Sequence, residues 1–445
     1  MQKKNTPERM SQPWQNWGRG VTAHPARIAA PASDGDVQAV VREAPRPIRV
    51  TGSGHSFTPL CDTSGTLVSL DRLSGVVAID KDAQTATIRA GTKIHQIGRP
   101  LYEAGLALKN QGDIDRQAIA GAVSTGTHGT GVTLGNFSSE VTALRLVSGS
   151  GDIISANRVD NPEIFEAGRL SLGALGILLD VTLSVRPRYK LKEASGLIAV
   201  DTLFSLLERL KSTHRHVEFF WFPYANQAVL KTLDETDETA PEPRTALQMA
   251  SRGEAMSFEQ RVFRGACEMV RAMPFLSGPI QRFLTRGMVE GRRVRWSHEA
   301  FPSPRNVRFN EMEYAVPAER AVDCIREIVS HVRKHRIATA FPFEFRFVKG
   351  DDVWLSPFYG RDSATIAVHQ YYLHDRGPLF AAAEAIFKRY DGRPHWGKWH
   401  SRTGAEFAQL YPKWDDFLRV RQALDPGGVF LNNHLRAVFG LEDRR

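Results

Sequence analysis

The sequence predicts an α+β protein of two domains with a short C-terminal segment. Three observations carry that reading. The 445 residues exceed what one ordinary core holds. Stretches that alternate apolar and polar side chains, the period of strands, are interleaved with stretches of helical period. The composition also shifts after about Arg188, from small-residue loops to aromatic strands. The expected boundaries are a disordered tail over 1–13, a first domain over 14–188, a second over 189–425, and a terminal segment over 426–445.

Taken in order, "ARIAAPASDGDVQAVVREA" reads as strand, loop and amphipathic helix, with Ser33 or Asp34 placed to cap it. "PIRVTGSG", "GTLVSL" and "VVAIDKDAQTATIRAG" alternate like strands joined by Gly- and Asp-bearing turns. "KIHQIGRPLYEAGLAL" returns to helical period, with Pro100 expected to kink or split it. The small-residue run "AIAGAVSTGTHGTG" precedes the strands "VTALRLVS", "GDIISA" and "ILLDVTLSVRP". Beyond Arg188, "DTLFSLLERLKSTHRHVEFFWFPYANQAVLKTL" reads as a helix and an aromatic strand pair. "DETDETAPEPRTA" is acidic and proline-bearing, an exposed excursion. A helical segment follows over 247–290, then the strands "VRFNEMEYAVP", "FPFEFRFVKG" and "ATIAVHQYYL" with helices between them. No internal repeat is visible.

Composition narrows the function. The formal charge of +9 is scattered, and no helix-turn-helix, zinc-finger or RNA-recognition signature accompanies it, so nucleic acid is set aside. No window is apolar enough for a membrane span, and "MQKKNTPERMSQPWQNW" lacks the apolar stretch of a signal peptide. Cys61, Cys267 and Cys324 show neither metal-ligand spacing nor a disulfide framework, which fits a reducing, cytoplasmic setting.

In "RVTGSGHSF", Gly52 and Gly54 allow successive backbone N–H groups to face one concavity, as a phosphate requires. No helix follows, and the chain has neither GxGxxG nor GxxxxGK[ST], so the loop is not of Rossmann or P-loop type. A tight turn explains it equally well on its own, with His55 bonding backbone. "STGTHGTG" and "SLGALGIL" are further small-residue loops. Such runs bury little apolar area and let backbone approach something flat, so the three together point to one extended ligand.

In the second domain, alternation in "FPFEFRFVKG" sets Phe343, Phe345 and Phe347 on one strand face and Glu344 with Arg346 on the other. An ordinary ion pair and a clamp for hydroxyl and carbonyl oxygens remain open readings. His369 is either a satisfied sheet histidine or a substrate contact. Lys398 in "HWGKWH" reads equally as a snorkelling surface residue. His395 and His400 have no third ligand nearby, so no metal is expected.

"VTGSGHSF", "STGTHGTG", "SLGALGI", "HWGKWH" and "DPGGVFLNNHLRAVFG" together resemble the aldonolactone oxidoreductases of the vanillyl-alcohol-oxidase flavoprotein superfamily. The resemblance implies a two-subdomain FAD-binding domain of PCMH type, a mixed-sheet substrate domain capping the flavin, and a terminal segment that returns to the first domain. It implies FAD held by Val50, Thr51, Gly52, Ser53, Gly54, His55, Ser56, Ala122, Thr127, His128, Gly129, Thr130 and Ile177, with a covalent bond from His55 to the flavin 8α-methyl. It also implies that Gly121 leaves space beside the ring system, permitting O2 approach. Glu344, Arg346, Lys398 and His369 are then the substrate-site residues. The implied reaction is oxidation of L-gulono-, L-galactono- or D-arabinono-1,4-lactone by hydride transfer from C2–H to flavin N5. An ascorbate-type product results, and electrons pass to O2 or a carrier. An alditol oxidase and a noncatalytic FAD-fold module are the alternatives.

Overall fold

The computed structural model describes residues 13–253, 255–287 and 290–441; the expected tail lies outside them but for its last residue. The first domain is built on two main sheets, with two smaller two-stranded pairs, Trp14–Gln15 with Thr22–Ala23 and Leu106–Ala107 with Arg186–Pro187. Arg27–Ala29, Thr66–Ser69 and Ile48–Thr51 form a three-stranded parallel sheet in that spatial order. Ile153–Asn157, Val141–Val147, Ile177–Ser184, Thr85–Arg89 and Val76–Asp80 form a five-stranded antiparallel one. The helix Asp34–Glu43 begins at Ser33, whose Oγ accepts from the Asp36 N–H at 3.1 Å while the Asp36 carboxylate accepts from the Ser33 N–H. Its Val37, Val40 and Val41 join one core with Ile88, Val123, Leu146 and Val181, which unites the two sheets. The helix Ile94–Glu103 runs through Pro100 rather than splitting there, and ends three residues later; Leu106–Ala107 is a short strand.

The second domain is built on one eight-stranded sheet. Its spatial order is Gly291–Trp296, Lys190–Ala199, Gln227–Glu235, His216–Trp221, Phe343–Val348, Ser363–Tyr371, Phe309–Pro317 and Arg393–Pro394. Every pairing is antiparallel, which corrects the expected mixed sheet. The reason is a strand–helix–strand–strand unit that occurs twice. In each, the two strands joined by a helix are held apart because the third strand inserts between them. The sequence shows no sign of this duplication. The halves meet where His216–Trp221 pairs with Phe343–Val348, with Phe219 stacked on Phe345 at 4.6 Å.

One face of the sheet packs under the helices Val200–Thr213, Ala321–Lys334 and Gly377–Arg389, burying Leu203, Ile325, Ile328 and Phe387 with Phe343, Phe345 and Phe347. The expected helical segment over 247–290 contains Ala246–Ala250, Phe258–Ala272 and Ser277–Arg286. The chain returns to the first domain before residue 426. Trp414, Phe417 and Val420 pack with Leu170 and Leu175, Arg419 pairs with Glu163 at 2.7 Å, and the Leu424 carbonyl accepts from the Gly149 N–H. Trp414 and Phe417 also pack on Phe439 of the terminal segment.

Candidate active site

A cleft opens between the two main sheets of the first domain. The end of Ile48–Thr51 delivers the loop onto it: Val50, Thr51, Gly52, Ser53, Gly54, His55 and Ser56 all line it, with Gly54 in the left-handed region at φ +68°. The Ser171–Leu178 stretch lines the opposite wall through Leu172, Gly173, Gly176 and Leu178. A Cβ built on Gly121 would project into open space, with no heavy atom within 4 Å. The walls are mostly small side chains and backbone, and a cradle is left open at Gly121. This is the lining that a flat ring system with a pyrophosphate requires. The residues fit FAD.

Ala122, Thr127, His128, Gly129, Thr130 and Ile177 lie off that cleft. Ala122 and Ile177 are core residues directly behind its wall. Thr127–Thr130 instead joins the domains. Thr130 Oγ1 donates to the Val217 carbonyl at 2.6 Å, and the Gly131 N–H donates to the Phe347 carbonyl at 2.8 Å. A Cβ on Gly129 would meet Asn110 Oδ1 and the Gln111 carbonyl at 2.5 Å, so the small residues here serve close backbone approach. His128 turns toward the second domain: its Nε2 lies 2.6 Å from Glu313 Oε1, and its Nδ1 is 2.8 Å from the Gly129 carbonyl.

His55 lines both this cleft and a second one at the domain boundary. Its ring lies 5.5 Å from that of Trp17. Burial, aided by the charges of Lys398, Lys93 and Arg116, lowers its pKa to about 4, so the imidazole is neutral near neutral pH.

The predicted substrate-site residues Glu344, Arg346, Lys398 and His369 line neither cleft; they lie on the second domain. On the sheet face opposite the helices, alternation gathers Glu218, Lys231, Glu344, Arg346, Glu311, Glu313 and His369, all well buried but for Lys231. Glu344 and Arg346 are 7% and 8% exposed, at the seam between the two sheet halves. Arg346 Nε donates to Glu218 Oε2 at 2.8 Å, and its Nη2 lies 3.5 Å from Asp113 Oδ1, a residue of the first domain. Lys231 holds the other oxygen of Glu218 at 2.9 Å, and Arg305 pairs with Asp113. Arg346 is also in ion-pair contact with Glu344 Oε1. Burial raises the Glu344 carboxyl to about 7; Arg346 opposes the rise while Asp113 and Glu218 add to it. A buried carboxyl that titrates near neutrality is suited to accept a substrate proton.

Lys398 bonds Glu311 and lies 3.9 Å from Glu313. Burial works against its charge, but the two carboxylates outweigh burial and hold its pKa above the ordinary value. His369 Nε2 is 3.6 Å from Glu311, and its Nδ1 bonds the Pro342 carbonyl at 3.2 Å. The loop of Lys398 is stitched to that of His55. The Phe57 N–H donates to the Gly397 carbonyl at 2.7 Å, Thr58 Oγ1 donates to the Trp396 carbonyl at 3.0 Å, and Lys398 Nζ sits 5.3 Å above the Phe57 ring. Sequence reasoning missed Asp113, Glu218, Lys231, Arg305, Glu311 and Glu313. The "NEMEY" alternation carries the same period-two signal as "FEFRF" and would have exposed the last two; Asp113, in a loop, offers no such signal.

Comparison with known proteins agrees with this architecture. Residues 25–157 match the FAD binding domain family model, and residues 181–438 match that of D-arabinono-1,4-lactone oxidase. The chain is 37% identical to the L-gulono-1,4-lactone dehydrogenase of Mycobacterium tuberculosis, over 97% of this chain and 100% of that one. It is 30% identical to the L-gulonolactone oxidase of Mus musculus, over 96% and 98%. In fold it resembles cholesterol oxidase from B. sterolicum, with a TM-score of 0.81 at 18% identity and 98% of each chain covered. With a cleft suited to FAD in the first domain, a buried carboxylate–guanidinium cluster in the second, and these relatives along nearly its whole length, the chain belongs to the D-arabinono-1,4-lactone oxidase family of FAD-dependent aldonolactone oxidoreductases.

Proposed function

We propose that the protein oxidises an aldono-1,4-lactone at C2, giving a 2-keto lactone that tautomerises to an ascorbate-type enediol. The observation that carries this reading is the buried Glu344–Arg346 pair, on a floor stitched to the His55 loop. FAD, held along Val50–Ser56 and beside Gly121, supplies the two-electron acceptor when bound. Glu344 Oε1 takes the proton of the C2 hydroxyl, a task suited to a group titrating near 7. Arg346, fixed by Glu218 and Asp113, donates to the lactone carbonyl through its planar fork. Lys398, kept charged by Glu311 and Glu313, brings a positive charge to the junction of substrate floor and cleft. Phe57, Phe309 and Phe341 exclude water from the same region.

In this reading His55 also tethers the flavin: a neutral, half-buried imidazole on the cleft wall is a competent nucleophile. The open space at Gly121 supports O2 as one acceptor, and three free cysteines support a cytoplasmic setting. The test is anaerobic stopped-flow reduction of the purified yellow protein by L-gulono-1,4-lactone, D-arabinono-1,4-lactone and xylitol. Bleaching by a lactone is expected; faster reduction by xylitol would reassign the substrate class to alditols.

A further inference from the structure

A lactone whose carbonyl and C2 hydroxyl meet Arg346 and Glu344 carries its exocyclic hydroxyls several atoms away, and those groups need partners of their own. The second cleft, at the domain boundary, supplies them. Among the described residues, Arg305 is the cleft-lining residue whose side chain bonds the buried cluster: it pairs with Asp113, and Asp113 Oδ1 lies 3.5 Å from Arg346 Nη2. The outer guanidinium therefore stands one carboxylate away from the inner one. Burial opposes the charge of Arg305, but Asp113 and Glu344 outweigh burial and hold its pKa above the ordinary value. The cleft is thus within charge reach of the carboxyl that takes the C2 proton.

The lining suits a hydroxylated chain. Arg305 Nη1 donates to Ser303 Oγ at 2.7 Å, and the Ser303 N–H donates to the Asp113 carbonyl at 3.0 Å, which leaves the Ser303 hydroxyl proton to be donated elsewhere. Asn306 Nδ2 donates to the Ala255 carbonyl at 3.1 Å and to Gln260 Oε1 at 2.9 Å, so the amide is held and its Oδ1 remains an acceptor. Trp17 adds an apolar wall against which the C–H groups of a sugar chain pack. Arg305 faces Asp113, and Arg252 faces Asp115 at 3.0 Å, so these two arginines are already neutralised, which favours an uncharged ligand over an anion. We infer, resting on the aldonolactone reading above, that this cleft seats the exocyclic hydroxyl chain of the lactone, with Ser303, Arg305 and Asn306 setting which chain length is preferred.

The test is anaerobic stopped-flow flavin reduction of the holoprotein by L-gulono-1,4-lactone, which has a two-carbon exocyclic chain, and by D-arabinono-1,4-lactone, which has a one-carbon chain. A Ser303→Ala, Asn306→Ala variant should need at least about fivefold more L-gulono-1,4-lactone to reach half its limiting rate, against less than about twofold more D-arabinono-1,4-lactone, with limiting rates near wild type. Arg305→Lys keeps the charge toward Asp113 but loses the planar fork, so it should weaken the longer lactone in the same selective way. It decides the matter if the double variant fails to fold. Equal weakening toward both lactones, or no change in the deciding variant, overturns the inference. Slower reoxidation by a dye with unchanged reduction also overturns it and gives the cleft to the electron acceptor. A wild type that no lactone reduces overturns the aldonolactone reading and this site with it, an outcome distinct from the variant results.

Discussion

Replacing Glu344 with Gln isolates the proton-accepting role, because the amide keeps the side chain's shape and cannot take a proton. Its environment sets the size of the effect. The carboxyl is 7% exposed, its value lifted to about 7 by burial, with Arg346 opposing and Asp113 and Glu218 assisting. Loss of a charge-assisted hydrogen bond costs about 1.5–3 kcal/mol, roughly a 10- to 150-fold fall in the rate of flavin reduction. The working form is the carboxylate, so the wild-type rate rises with pH through about 7 and then levels, whereas the variant is slow and flat. The assay is anaerobic stopped-flow bleaching by L-gulono-1,4-lactone across that range. Stability supplies a second readout with its own sign. A carboxyl raised from 4.5 to about 7 in the folded state binds its proton more tightly than in the unfolded chain. Its stabilising contribution is full below 4.5 and is lost as pH rises through about 7. Across that window the stability difference should move in the variant's favour by about 3 kcal/mol. A variant reduced within about threefold of wild type, or one that keeps the step near 7, would refute the role.

Three further outcomes follow from the same geometry. Acid precipitation of wild type should leave yellow flavin on the peptide containing His55, and His55→Ala should release FAD entirely; complete release from wild type would refute the tether. Gly121→Ala meets no atom within 4 Å and should fold normally, so peroxide formation should fall while dye reduction persists; unchanged peroxide formation would separate Gly121 from the O2 reaction. Gly91→Ala drives a Cβ to within 1.8 Å of the Leu70 carbonyl and should cost at least about 3 kcal/mol in urea unfolding, since backbone there must move.

Much of this protein is legible without its structure, for a local reason. Strand and helix periods, the Ser33 cap and the glycine-rich loop before His55 depend on neighbours within a few residues, so the sequence displays them directly. The shared face of Glu344 and Arg346 is likewise a period-two fact, and it survived folding unchanged. What tertiary structure alone decided are the meetings of distant segments. Asp113 reaches Arg346 across the domain boundary, and the Lys398 loop is bonded to the His55 loop from some 340 residues away. His128, which the family resemblance placed among the FAD contacts, pairs with Glu313 of the second domain. The doubled strand–helix–strand–strand unit left no repeat in the sequence because strand insertion requires only apolar alternation, which many residues satisfy equally. The value of the Glu344 carboxyl, on which the proposed chemistry turns, arises from desolvation and from charges supplied by three separate chain segments, and it exists only once those segments have closed over it.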